Sequence, residues 1–153
     1  MIASTMLEIV LPRLNQTYDI ESKRLKIKTL GETISVPRGI NIPVGIYIKI
    51  SDSRFNSGYY KVVDKIKGGI NYRHEYQLDR ILTKGKETAV ITLLAIPAGL
   101  DTIIGQMAKY ARETAEVKVK SEKLPGMSIT YFEEDLFKKF SGMLGAYRRL
   151  KTI

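Results

Sequence analysis

Cysteine is absent from the 153 residues, and histidine occurs once, at His74. Without cysteine there is no disulfide, no thiolate metal site and no thiol nucleophile. With one histidine a His pair for metal is impossible, and a Ser-His-Asp triad would rest on His74 alone. Long polar runs are also lacking, which argues against bulk disorder. No run reaches the roughly 18–20 apolar residues of a membrane helix, and TAVITLLAIPAGL, the most apolar stretch, is interrupted by Pro97 and Gly99. MIASTMLEIV lacks a basic region followed by a long apolar core, so no signal peptide is expected.

What is present is an ordinary globular composition, 44% apolar and 27% charged, long enough for one domain with a core or one domain plus an inserted module. The formal net charge is +9. Residues 1–50 carry seven basic and four acidic side chains, 51–100 eight and five, and 101–153 ten and seven, an excess of three in each. A dedicated nucleic-acid module usually clusters its Lys and Arg, so an even spread is a weak signal for such a partner. A basic, well-solvated surface facing an acidic protein accounts for it equally.

Three segments differ in period. In the first, residues 1–23, Ser4 or Thr5 can cap a helix, Glu8 stands at capping-box spacing from Thr5, and Met6, Ile9, Val10 and Leu14 recur at helical intervals. Pro12 keeps that helix short or breaks it. From Arg24 the period is two. Leu25 and Ile27 alternate with Lys26 and Lys28, a turn is expected near Leu30-Gly31-Glu32, and Ile34 and Val36 resume the alternation as a hairpin. In GIYIKI, Ile46, Ile48 and Ile50 share one face and Tyr47 and Lys49 the other. Asn56-Ser57-Gly58 and Gly68-Gly69 read as turns, and INYRHEYQL and TAVITLLAI as further strands. Residues 24–96 therefore read as five to seven short strands in a small barrel or strongly curved sheet.

After Pro97 the period becomes 3.6. Leu100, Ile103, Ile104, Met107 and Ala111 form one stripe, giving a helix over about 98–115. Val117 and Val119 alternate with Lys118 and Lys120, Leu124-Pro125-Gly126 turns the chain, and Met127, Ile129 and Tyr131 alternate again, a β-hairpin over about 117–132. A last helix is expected over about 133–150, acidic at its start and basic at its end, with Leu136, Phe137, Phe140, Met143, Leu144 and Tyr147 as its apolar face. Gly142 and Gly145 each cost about 1 kcal/mol relative to alanine in a helix interior, which suggests close packing or a frayed end. The fold class is α+β, a β-rich module combined with a helix-hairpin-helix core.

Reactive constellations are few. His74 lies in YRHEYQ and reads as a surface or turn histidine; Asp52, Asp64, Glu75 and Asp79 are scattered among basic residues and read as surface ion pairs. No phosphate loop, dinucleotide fingerprint or calcium-loop spacing is present. The expectation is that the chain is not an enzyme and uses no cofactor or metal. Tyr47, Tyr59, Tyr60, Tyr72 and Tyr76, interleaved with Lys49, Lys61 and Arg73, either stack bases or fill and rim a small sheet, and the second is the simpler reading.

Two stretches carry a resemblance. VKSEKLPGMSITYFEEDLFKKFSGMLGAYRRLK resembles the ending of head–tail connector proteins (head completion or adaptor proteins) of long-tailed double-stranded DNA bacteriophages. The matching residues are Ser121-Glu122, Gly126, Ser128-Ile129-Thr130-Tyr131, Leu144 and Tyr147-Arg148-Arg149. GIYIKISDSRFNSGYYKVV is similar to a β-module inserted in some of these connectors, through Asp52-Ser53, Phe55-Asn56 and Gly58, with Tyr59 in place of the usual small apolar residue. The typical family opens with a longer helical bundle than this chain does.

The resemblance implies a structural virion protein, made in the bacterial host cytoplasm. It would form a homo-oligomeric, twelve-fold ring beneath the portal, extend the DNA channel and dock the tail or a head-closure protein. Contact with packaged double-stranded DNA would be transient, and no membrane partner is expected. Tyr147, Arg148, Arg149 and Lys151 would engage the portal; Val117, Val119, Ser121, Glu122, Met127, Ile129 and Tyr131 would bridge subunits. The alternatives are a small β-barrel nucleic-acid-binding protein, or a neighbouring virion part such as a head-closure or tail-terminator protein.

Overall fold

A computed structural model describes residues 2–14, 18–67, 73–121 and 128–148, with side chains described except at 67, 115–121 and 128–134. The elements run α1 (Ala3–Leu14), β1 (Asp19–Val36), β2 (Tyr47–Ser51), β3 (Gly58–Lys67), β4 (His74–Leu94), α2 (Ala98–Ser121) and α3 (Ser128–Leu144), then a 3-10 turn (Gly145–Tyr147). They form two compact units, Met1–Thr17 with Pro97–Ile153, and Tyr18–Ile96. The class is α+β, a four-stranded antiparallel sheet with three helices.

The β-unit differs from the expected set of short strands. Two strands are long, and the sheet order is β1-β4-β2-β3 with a further β4–β3 pairing. β4 takes in both stretches that read as separate strands: its 90–94 end pairs with β2, and its 75–78 end pairs with β3. β1 pairs with β4 alone, so the sheet is not closed into a barrel. The expected hairpin at Leu30-Gly31-Glu32 is also absent. β1 runs through Gly31, which takes φ +59°, and residues 25–29 pair with 85–89 instead of folding back on 34–36. The glycine supplies an irregularity in the ladder, with register shifts on both sides of it, where a turn was expected.

Alternation sets the core of this unit. Ile27, Ile34, Ile48, Ile50, Val62, Tyr76, Leu78 and Ile91 are buried in one cluster. Each fully buried aliphatic side chain contributes about 1.5–3 kcal/mol as an upper bound. Tyr47, expected on the opposite face from Ile48 and Ile50, is also buried, with Lys61 Nζ 5.4 Å from its ring centroid. β2 lies between β3 and β4, so both of its hydrogen-bonding edges are paired. Gly45 N–H donates to Val62 O at 2.7 Å, and Val62 N–H to Ile46 O at 2.9 Å, tying the preceding loop to β3.

In the helical unit α1 packs on α2 and α2 on α3. α1 buries Met6, Leu7, Val10, Leu11 and Leu14, with Pro12 exposed inside its last turn. α2 buries Leu100, Ile104, Met107, Ala108 and Ala111; α3 buries Leu136, Phe140 and Leu144, one turn apart each. Tyr110 and Phe140 meet edge to face, centroids 6.0 Å apart. Met143, expected on the apolar face, is exposed. The expected hairpin over 117–132 is not formed. α2 continues through Ser121 and α3 begins at Ser128, so 117–121 and 128–132 are helical. Four residues of Val-Lys alternation do not outweigh a run rich in Ala, Glu and Lys, in which Glu116 and Lys120 stand four apart. α3 starts five residues before the expected 133 and ends at Leu144, where Gly145 opens the 3-10 turn.

Candidate functional site

Among the described residues no three His, Cys, Asp or Glu side chains converge to hold a metal ion. His74 begins β4 half-buried, its ring stacked at 6.4 Å on Tyr76 and its Nδ1 3.5 Å from Tyr76 Oη. That hydroxyl accepts the Ile42 N–H at 2.9 Å, so the histidine borders a buried structural hydrogen bond. Of the four scattered carboxylates, Asp52 forms a surface ion pair with Arg24 at 2.8 Å. Asp79 and Asp64 instead accept the backbone N–H groups of Lys61 and Lys65. Tyr47, Tyr60 and Tyr76 are core residues and present no open face for base stacking; Tyr59 is half-buried, and Tyr72 lies outside the described residues.

The motif at 52–58 is a turn locked by its own side chains. Asp52 has φ +56°, a conformation Asp tolerates better than most residues. Ser53 Oγ donates to Glu87 Oε1 and accepts the Asn56 N–H at 2.9 Å, while Arg54 N–H donates to Glu87 Oε2 at 2.9 Å. Asn56, buried, reaches across to the irregular part of the β1–β4 ladder. Its Nδ2 donates to Thr83 O at 2.9 Å, and its Oδ1 accepts the Thr83 N–H at 2.7 Å. Thr29 Oγ1 donates to the same carbonyl at 2.6 Å, and Tyr60 Oη donates to Asn56 O at 2.7 Å. Sequence spacing flagged this turn but not the long-range clamp, because Thr29 and Thr83 have no local signature.

That ladder irregularity borders a groove of about 640 Å³ in the β-unit, lined by Lys28, Thr29, Leu30, Thr33, Ser35, Arg73, Glu75, Lys84, Gly85 and Lys86. Four cationic side chains face it against one carboxylate. Lys28 and Lys86 are direct cross-strand partners. Arg73 is held over β1: its Nε donates to Ser35 Oγ at 2.9 Å, and its Nη2 to Lys26 O at 2.7 Å and Ser35 O at 3.1 Å. No residue of this groove other than Arg73 was singled out for binding from sequence. Lys28 sits at a polar position of an alternating pattern, but Lys84 and Lys86 lie in a run of residues, 83–88, that shows no apolar alternation.

Of the expected portal-contact residues, Tyr147 is half-buried in the 3-10 turn and Arg148 follows it, exposed. The Tyr147 hydroxyl lies where a methyl group on Gly99 would stand, so the start of α2 and the 3-10 turn are in close approach. Arg148 lines a cleft of about 320 Å³ with Arg13, Leu14, Phe137, Ser141, Leu144 and Gly145, in which the Arg13 guanidinium lies 3.9 Å from the Phe137 ring centroid. Arg149 and Lys151 lie outside the described residues. Of the expected subunit-bridging residues, Val117, Val119 and Ser121 fall in α2 and Ile129 and Tyr131 in α3; Glu122 and Met127 lie outside the described residues. No family model, no curated protein and no solved structure matches this chain. No helix among the described residues is long and apolar enough to cross a membrane.

Proposed function

We propose that this chain is a structural assembly protein of a long-tailed double-stranded DNA phage, a ring-forming adaptor between the portal and the tail. The sequence resemblance supplies the family, and the structure is compatible with it in one respect that matters. Ile81 and Leu30 flank the Gly31–Leu82 pair of the broken ladder and stay 79% and 63% exposed. This observation carries the reading: large apolar side chains exposed together at the irregularity of the ladder suit a neighbouring subunit. The motif at 52–58, with its hydroxyls and amide committed to the turn, suits a scaffold role over a chemical one.

In this reading the ring closes through heterologous contacts, one surface of each copy on a different surface of the next. The 3-10 turn and the residues after it face the portal, with Arg148 and the Arg149 that follows as forks for acidic groups. Deleting residues 146–153 and measuring capture by the portal of the same phage tests the orientation. The expected result is loss of capture with the subunit still folded; undiminished capture by the shortened chain rejects it.

A further inference from the structure

We infer that the groove between β1 and the irregular part of β4 is a binding site for the phosphodiester backbone of nucleic acid. Lysines on an edge strand need no ligand, since charge there blocks edge-to-edge pairing. β1 is such an edge, and Lys26 and Lys28 on its outward row fit that role. Lys84 and Lys86 stand on the stretch of β4 that pairs with β1 alone, between its pairings with β3 and β2, but edge position does not account for a lysine placed against another lysine. Lys86 is set directly opposite Lys28, and like charges in that position destabilise a sheet. A fourth cation, Arg73, just before β4, is held beside the groove by three hydrogen bonds from its Nε and Nη2, which fix its charge and its remaining Nη1 donors before any ligand arrives.

The spacing selects the anion. Alternate residues of a strand stand about 7 Å apart, and cross-strand partners about 5 Å apart. The cations therefore form a short regular grid, extended along β1 by Lys26. A polymer with one charge fixed on every repeat of its backbone matches such a grid without ordering flexible side chains of its own, a cost that the carboxylates of an acidic peptide add. Among the described residues no aromatic side chain lines the groove, and the four cations there suit contacts to phosphates over stacking on bases. Gly85 has open space where a side chain would be, which leaves the backbone of the rim accessible. Binding is therefore sequence-independent, weak and steeply salt-dependent, in the range of about 1–100 µM at physiological salt. Such a site lets a strand slide. Leu30 lines the groove and also belongs to the apolar pair assigned to a neighbouring subunit, but the inference concerns the chain by itself and does not rest on the ring reading, so either can fail without the other.

The test is fluorescence anisotropy of the full-length chain with labelled single-stranded and duplex oligonucleotides of arbitrary sequence, across about 50–200 mM salt. For the duplex, log K is expected to fall against log salt with a slope of about −3, as three to four phosphate contacts require. Lys28→Thr with Lys86→Thr is expected to lower affinity about tenfold or more and flatten the slope by about 2, while the thermal midpoint stays level or rises as the like-charge pair is removed. Should that pair of changes fail to fold, Lys84→Thr, at an exposed position, is expected to flatten the slope by about 1. Lys109→Ala with Lys138→Ala, equal in charge but on the helices, is expected to leave binding unchanged. Undiminished binding by the groove variants overturns the inference, as does an equal loss in the helix variant. Polyglutamate binding as tightly as DNA also overturns it and assigns the groove to an acidic protein surface.

Discussion

Single residues hold the β-unit in places that composition does not reveal. Asn56 uses both ends of its amide on Thr83 and is buried while doing so. Asn56→Ala orphans a backbone donor and weakens an acceptor at an exposed residue that water can reach, so the expected loss is about 1–2 kcal/mol of unfolding free energy in urea. Tyr76 is the larger case. Its ring is in the core and its hydroxyl satisfies the Ile42 N–H. Tyr76→Phe keeps the ring and strands that donor, at an expected cost of about 1–3 kcal/mol by the same measurement. A variant as stable as the parent would show that another acceptor replaces the hydroxyl. Tyr76 was legible in sequence as a sheet tyrosine because tyrosine favours strands. Its partner was not, because Ile42 lies in a loop without period. Gly31 shows the opposite failure: a glycine after leucine was read as a turn, and the chain used its positive φ for an irregularity within one strand.

At the scale of elements, period was a good guide where it lasted and a poor one where it was short. The stripe from Leu100 to Ala111 marked α2, and Leu136, Phe140 and Leu144 marked α3. The hairpin expected between them rested on a few alternating residues beside a Pro-Gly pair, and the backbone there is helical on both sides. A helix end was sought at the first change of pattern, but charged helix formers carry a helix past its buried stripe. In α1 the proline was read as shortening or breaking the helix, and the helix runs through it to Leu14. The proline stands exposed in the last turn, where its ring removes a backbone donor. Pro12→Ala is expected to raise stability by about 1–2 kcal/mol, less than the full interior cost because the last turn is partly released already. Thermal denaturation checks it, and an unchanged or lower midpoint would mean that the ring packs on something that alanine cannot replace.

For the whole molecule, the sequence divided into a period-two segment between two helical ones, and the structure has two units, a β-unit of Tyr18–Ile96 and a helical unit built from both flanking segments. The Ala95 N–H donates to Tyr18 O at 2.8 Å, so the β-unit's two strand ends lie side by side. Strand count and closure were not legible, because β4 pairs with β3 near one end and with β2 near the other, and pairing partners distant in sequence leave no local trace. The basic groove was hidden for a related reason: an even charge along the chain became uneven only when Lys28, Arg73, Lys84 and Lys86 were brought together by the ladder. The assembly reading requires that a phage encode this chain, and its most direct measurement is cryo-electron microscopy of the intact particles of that phage. The account expects a ring of copies between the capsid vertex and the tail, with the β-unit and the three helices fitting its density. A neck whose density is filled by other proteins, with this chain absent from the purified particle, would contradict it.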